Sequence, residues 1–433
     1  MQQENMMTTI PMPTTPTDTS LDRWQFRFFT IWATQAVSQV GSAVVQFALI
    51  WWITQTVGSA TALATASLMG LLPYVVLSPF AGALVDRWNR KRIMVVADAI
   101  SMFCIMGLAY LFATGQVQIW HAYALMFVRS CCGAFQGNAM QASTALLVPK
   151  AHLTRVAGFN QMVQGGTGIL APILAALLLV WLPIHGILMV DVITALPAIT
   201  ALMIFIIPQP VREVNDQKPA TNVLQDMREG FSFVVGWRGL FYTLLMAMLI
   251  NFLLTPTGAL MPLLVTNHFN GNAADLAKLE SALGLFVILG GITLSAWGGF
   301  KHPRKGRIIT MLVGLTGLAV GVLLIGFAPA HGLWIAIAGM ALVGFMQVMC
   351  NGSMGALLQA TVPNHMQGRV GSLMGSASML MAPISLAVSG PLSDLIGIRV
   401  WYVAGGIACL VLAVLAAFSP AIMNIEAGRE VTS

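Results

Sequence analysis

The chain has 433 residues, of which 57% are hydrophobic and only 8% charged. Soluble domains average about 25% charged residues, so a packed water-soluble fold is excluded and a polytopic α-helical membrane protein is implied. The net charge of +6 does not point to nucleic acid, because the cations are dealt out among short loops rather than gathered in one patch.

Residues 1–22 are polar, rich in Thr and Pro and without periodicity, as expected of a disordered cytoplasmic tail. They lack the basic start and short apolar core of a cleavable signal. Twelve apolar runs follow, each near the roughly 20 residues that cross the hydrocarbon. The first six are expected at 28–54, 60–85, 92–113, 118–142, 154–180 and 183–207. The second six are expected at 239–267, 279–300, 307–328, 332–358, 367–393 and 398–420. This divides the chain into a half at 23–207, a cytoplasmic linker at 208–238 with a candidate surface helix at 224–235, a half at 239–420, and a cytoplasmic tail at 421–433.

With the N-terminus inside, eighteen of the 21 Lys and Arg residues fall on the inner side and only Lys278 and Arg399 on the outer, leaving Arg129 within a span. An error of one span would destroy that alternation, so the count supports both orientation and span number. The halves also repeat. Val148-Pro149 and Arg155-Val156 recur as Val362-Pro363 and Arg369-Val370, 214 residues later in both cases (148 to 362, 155 to 369). Repeated six-helix halves are a common transporter architecture.

Between spans 2 and 3, Gly82 to Arg92 squeezes Asp86, Arg87, Arg90, Lys91 and Arg92 into one short turn. This stretch resembles the loop signature of the major facilitator superfamily, matching at Gly82, Leu84, Asp86, Arg87, Arg90 and Lys91. Asn89 stands where that family has Gly, and Asn is expected to serve as the next most tolerant residue of a left-handed turn. The resemblance implies a twelve-helix fold working by alternating access, with Asp86 docking on the inner end of span 11 to switch conformation and the cations of Arg87 to Arg92 holding the loop to the lipid surface. The second copy of the loop, Lys301 to Arg307, keeps cations but has no acid, so an acid-dependent contact is expected in the first half only.

Catalytic sets are missing from the pattern. There is no phosphate-cradling loop, no His pair at metal spacing and no nucleophile triad, so neither an enzymatic activity nor a cofactor or metal is expected. The five cysteines all lie in apolar runs and read as small packing residues. Arg129 lies about eleven residues into span 4, near the bilayer centre, where a guanidinium must be paired or face water. The superfamily carries a functional Arg in this span linked to proton exchange, and Phe127-Val128-Arg129-Ser130 is similar. Asp98 and Asp191 are read as the two acids inside spans. Asp98 is near the inner surface and is expected to pair with the basic loop, with proton coupling as its alternative role, whereas the deeper Asp191 is the first choice for proton exchange with Arg129.

Trp32, Gln35, Gln39, Ser42 and Gln46 fall on one face of span 1, which must look inward because amides facing lipid are unsatisfied. Gln136 in span 4, Asn251 in span 7, and Gln347 and Asn351 in span 10 belong to the spans that line the central cavity in this superfamily. An amide-rich, nearly uncharged cavity suits a small amphipathic organic substrate. In span 5, Gly158 and Pro172 match the superfamily's exporter motif outright, while Thr167, Ala171, Ala175 and Ala176 replace its other glycines with small residues. Phe29 to Ser38, Gly58-Ser59-Ala60 and Leu71 to Tyr74 are similar to the macrolide-efflux branch. The resemblance implies a cell-membrane exporter exchanging substrate for protons, its other partners being the lipid bilayer and not nucleic acid. A metabolite or siderophore transporter of the same fold is the alternative. A non-transporting receptor fits less well, since it has no need of Arg129.

Overall fold

The computed structural model describes residues 24–85, 87–149, 152–205, 207, 223–302 and 305–427. Asp86, the two ends of the chain and residues 208–222 of the expected linker therefore lie outside the described residues. The N-terminal half consists of α1 (Trp24–Val57), α2 (Ala60–Val85), α3 (Arg90–Ala113), α4 (Ile119–Leu147), α5 (Leu153–Trp181) and α6 (Ile184–Ile204). After α7 (Val223–Val235) come α8 (Arg238–Ala259), α9 (Met261–Asn267), α10 (Ala273–Trp297), α11 (Gly306–Phe327), α12 (Leu333–Thr361), α13 (Asn364–Ile396), α14 (Ile398–Phe418) and the short α15 (Pro420–Met423).

Among the described residues, eleven helices are long and apolar enough to cross a membrane. The twelfth expected span is α4, whose apolar average is lowered by Arg129, Gln136, Asn138 and Gln141. Those residues face protein rather than lipid, so hydropathy alone underestimates this helix. The expected single span at 239–267 is broken into α8 and α9 at Leu260. Pro256 and Pro262 are the cause, each lacking an N–H and crowding the carbonyl four residues back. The carbonyl of Phe252, freed by Pro256, accepts a hydrogen bond from Ser385 Oγ of α13. Trp401 Nε1 and Tyr402 Oη of α14 donate to the carbonyls of Leu253 and Thr257. Irregular backbone at this depth persists because neighbouring helices satisfy it.

Packing repeats with the sequence. In the first half α1 packs on α5 and α6, α2 on α4, and α3 on α4 and α6. In the second, α8 packs on α13 and α14, α10 on α12, and α11 on α12 and α14. The halves meet through two equivalent pairs, α2 with α13 and α5 with α10. Close approach is set by small residues. At Gly344 of α12 a Cβ would lie 2.4 Å from the Leu283 carbonyl of α10, which no side chain tolerates.

Two expected boundaries shift. Residues 223–238 do not form a free linker: α7 lies on α13 and α8, with Val234 and Trp237 fully buried in the C-terminal core. The first residues of the expected tail are also structural, since Ile422 and Ile425 are buried in the same core. Glu426 accepts a hydrogen bond from the Ile308 amide at 2.9 Å and pairs with Arg307 at 3.5 Å. An acid therefore does reach the second basic loop, contrary to expectation. It comes from 119 residues further along rather than from within the loop (307 to 426).

Candidate functional site: two buried carboxylates and the cavities around them

Arg129 stands on the eleventh residue of α4, about 15 Å along it at 1.5 Å per residue. Its Nη1 lies 3.4 Å from Asp191 Oδ2 of α6, and its Nη2 donates to the Ser42 carbonyl of α1 at 3.4 Å. Ser42 Oγ donates to the other oxygen of Asp191 at 2.7 Å. Three helices thus hold one ion pair, and Asp191 is only 4% exposed. Local breaks help to seat the Arg. Its neighbour Ser130 accepts from the Tyr74 amide at 3.0 Å and donates to the Gly70 carbonyl at 2.7 Å, inserting itself into the ladder of α2 beside Pro73.

Asp98 does not pair with the basic loop. It is 7% exposed and turned inward, where Gln35 Nε2 donates to it at 3.1 Å and Gln136 Nε2 at 2.5 Å. Gln136 also donates to Gln35 Oε1 at 3.0 Å, closing a three-residue ring across α1, α3 and α4. Asp98 is therefore held by neutral amides, and Asp191 by a cation and a hydroxyl. Both line one cavity of about 370 Å³ inside the N-terminal half. Arg129 Nη1 and Thr167 Oγ1 have no hydrogen-bond partner there among the described residues.

Two larger cavities flank this one. A cleft of about 590 Å³ lies between the portions of α1, α2, α4 and α5 nearest the basic loops, and its lining includes Trp32, Gln35, Gln39, Tyr74, Asn138 and Gln164. No charged side chain among the described residues lines it. Gln35, Gln39 and Gln164 line both this cleft and the carboxylate cavity. Trp32 Nε1 donates to Asn160 Oδ1 at 2.7 Å, and its ring meets Phe29 and Phe159 edge-on. The second, about 460 Å³, is shared between halves and brings Gln46 and Arg129 near Thr255 and Leu386.

Other expected site residues fall elsewhere. Gln136 serves Asp98 and not the cleft. Asn251 donates back to the Ala247 carbonyl of its own helix, and Gln347 and Asn351 are exposed and line none of these cavities. A Cβ at Gly158 would meet nothing within 4 Å. The close approach of α5 and α10 occurs instead near Gly165, Gly168 and Gly284, while Pro172 lies within an unbroken α5.

The basic loop is also used differently from the expectation. Asn89 is not left-handed: at φ −70° it caps α3, accepting from the Arg92 amide at 3.1 Å. Arg90 is buried and donates to the Ala142 carbonyl, five residues before the end of α4 (142 to 147). Lys91 binds the carbonyls of Met203 and Phe205, where a cation suits the negative end of α6. Only Arg87 and Arg92 among the four face outward. Gly82 sits inside α2, where a Cβ would be in ordinary contact with Asn138.

Sequence reading missed two acids. Glu280 is the second residue of the expected span at 279–300 and lies two turns inside α10, which starts at Ala273. It makes no hydrogen bond or ion pair among the described residues. Asp394 occupies the last turn of α13 and crosses to the other half. It accepts from Ser59 Oγ at 2.8 Å, the Ala60 amide at 2.7 Å, the Thr61 amide at 3.0 Å and Thr61 Oγ1 at 2.6 Å. The available signal was an acid at a helix C-terminus, which opposes the helix dipole and so calls for a partner elsewhere. Ser281 Oγ likewise crosses to the Ile169 carbonyl. These bridges tie the halves together on the side away from the basic loops.

Residues 31–386 match the family model described as Major Facilitator Superfamily. Macrolide efflux protein A of Streptococcus pyogenes is 33% identical over 394 residues, covering 91% of this chain and 96% of that protein. Multidrug efflux pump Tap of Mycolicibacterium fortuitum is 27% identical over 406 residues, covering 89% and 94%. Among solved structures, a bacterial homologue of the iron transporter ferroportin in an inward-facing state aligns with TM-score 0.67 at 14% identity, covering 91% of this chain and 98% of that one. A D-xylose–proton symporter aligns with TM-score 0.65 at 15% identity, covering 90% and 97%. At such identities these two structures share the fold alone.

Proposed function

The chain belongs to the Major Facilitator Superfamily, and on that premise we propose that it exports small amphipathic organic compounds of drug or macrolide type in exchange for protons. The observation that carries this reading is the pair of buried carboxylates beside an uncharged, amide-lined and aromatic cleft. Relatives named for macrolide and multidrug efflux support the substrate class. The cleft's lining favours neutral and amphipathic surfaces over a compact ion, because it offers amides and rings but no formal charge.

The cations of the basic loops support a cytoplasmic position for the cleft's end. The halves are bridged at the other end, so this is the state open inward, ready to take substrate from the cell. Here Arg129 holds Asp191 as an ion pair. In the opposite state the pair separates. A carboxylate left in a dry site without its cation is too costly to keep charged, and a proton from outside neutralises it. Return to the inward state re-forms the pair and releases that proton to the cytoplasm. Asp98, already without a cation, is the second acid of the same cavity, and Gln35, Gln39 and Gln164 form its polar link to the cleft. Asp86 docks on the inner end of α13 when that side closes, completing the switch.

The test is uptake of a fluorescent amphipathic drug into inverted vesicles under an imposed pH gradient. Asp191→Asn is expected to abolish concentrative transport while leaving downhill exchange. Arg129→Lys is expected to be nearly as damaging, since an ammonium cannot reproduce the planar, multi-donor guanidinium. Wild-type accumulation by Asp191→Asn at equal expression assigns the proton to another acid.

A further inference from the structure

On the side of the N-terminal half away from the cleft, α3 and α4 leave a groove of about 780 Å³. Val96, Ile100, Val128 and Phe135 help to form its apolar walls. Arg87, Trp88 and Arg92 stand at its mouth, all exposed. From Arg92 to Ile100 the groove follows α3 for about 12 Å at 1.5 Å per residue, which keeps it within one leaflet of a hydrocarbon core about 30 Å thick. It shares no lining residue with the three polar cavities, so it is not part of the central path.

The charges at the mouth are what distinguish this groove from bare lipid-facing surface. Of the loop's four cations, Arg90 and Lys91 are engaged by backbone carbonyls of α4 and of the end of α6. Neither Arg87 nor Arg92 has an ion-pair partner among the described residues. Two guanidiniums at the membrane surface above an apolar slot complement a phosphate above an acyl chain, and basic pockets between spans are a recurrent form of anionic-lipid recognition. Trp88 belongs at the same headgroup level.

We propose that this groove binds one anionic phospholipid from the bilayer, an acyl chain between α3 and α4 and the phosphate between Arg87 and Arg92. The groove backs directly onto the coupling residues. Ala97, Val128, Cys132 and Phe135 line it, and their helix neighbours Asp98, Arg129, Gly133 and Gln136 form the carboxylate cavity or its hydrogen bonds. A bound lipid therefore braces the outer faces of the two helices whose inner faces hold the acids.

Native mass spectrometry of the purified full chain, titrated with phosphatidylglycerol or phosphatidylcholine, tests this. With each cation worth roughly fivefold, wild type is expected to retain one phosphatidylglycerol in roughly 30-fold preference to phosphatidylcholine. Arg87→Gln with Arg92→Gln is expected to erase the preference without removing all retained lipid. Val96→Trp, which fills the slot at an exposed position and leaves the charges alone, is expected to lose the retained lipid; Ile100→Trp is its replacement if the first does not fold. Equal retention of the two lipids by wild type overturns the proposal. So does undiminished retention in a folded slot-filling variant, or displacement of the lipid by micromolar rhodamine, which reassigns the groove to substrate entry.

Discussion

Asp394→Ala is expected to loosen the closed end of the transporter by a calculable amount. The carboxylate takes two backbone amides at the start of α2 and the hydroxyls of Ser59 and Thr61. The amides at the start of a helix have no partner of their own, and they carry the positive end of its dipole. Asp394 therefore caps a helix that belongs to the other half. Removing a capping side chain costs about 0.5–2 kcal/mol. The four contacts do not sum to more, because the side chain is exposed and the hydroxyls it binds exchange it for water. A loss of about 1–2 kcal/mol is a factor of roughly 5–30 in the ratio of closed to open populations. Spin labels at Thr56 and Ile396, in a background without the five native cysteines, would report the separation of the halves at this end. The long-distance population should rise by that factor in Asp394→Ala and by less in Asp394→Asn, which keeps one acceptor oxygen. A distribution shifted by less than twofold would refute the clasp as a determinant of the equilibrium.

Asp86→Asn should leave expression unchanged while cutting drug efflux strongly, measured as susceptibility in cells lacking their own pumps. A cysteine at Lys218 should resist a membrane-impermeant thiol reagent in intact cells and one at Lys278 should react; the opposite labelling overturns the assigned orientation. Gly344→Ala should lower the melting temperature in detergent, reflecting about 1–3 kcal/mol of overpacking against the Leu283 carbonyl. Gly355→Ala, on the same helix with nothing within 4 Å of its Cβ, should not lower it, since Ala is the better helix former.

The class, the repeated halves and the approximate positions of the spans were legible in the one-dimensional pattern, because span length and apolar run are local properties of the chain. Arg129 was legible too, as a cation that a bilayer centre does not accept unpaired. Its pairing with Asp191 could be guessed from scarcity, since so few acids lie within the spans. What the pattern misjudged are the partners that come from far along the chain. Asp98 was assigned to the nearest cations, yet it turns toward Gln35 and Gln136, because the register of α3 directs it inward at a point where amides from two other helices converge. The second basic loop was judged to lack an acid, although Glu426 supplies one from beyond the last span. Asp394 has no partner near it in the sequence among the described residues, and it meets residues 333 to 335 positions away. Helix periodicity fixes which face a side chain occupies, but only the packing of the halves decides which helix lies against that face, and buried polar groups gain their stability from the partner rather than the face.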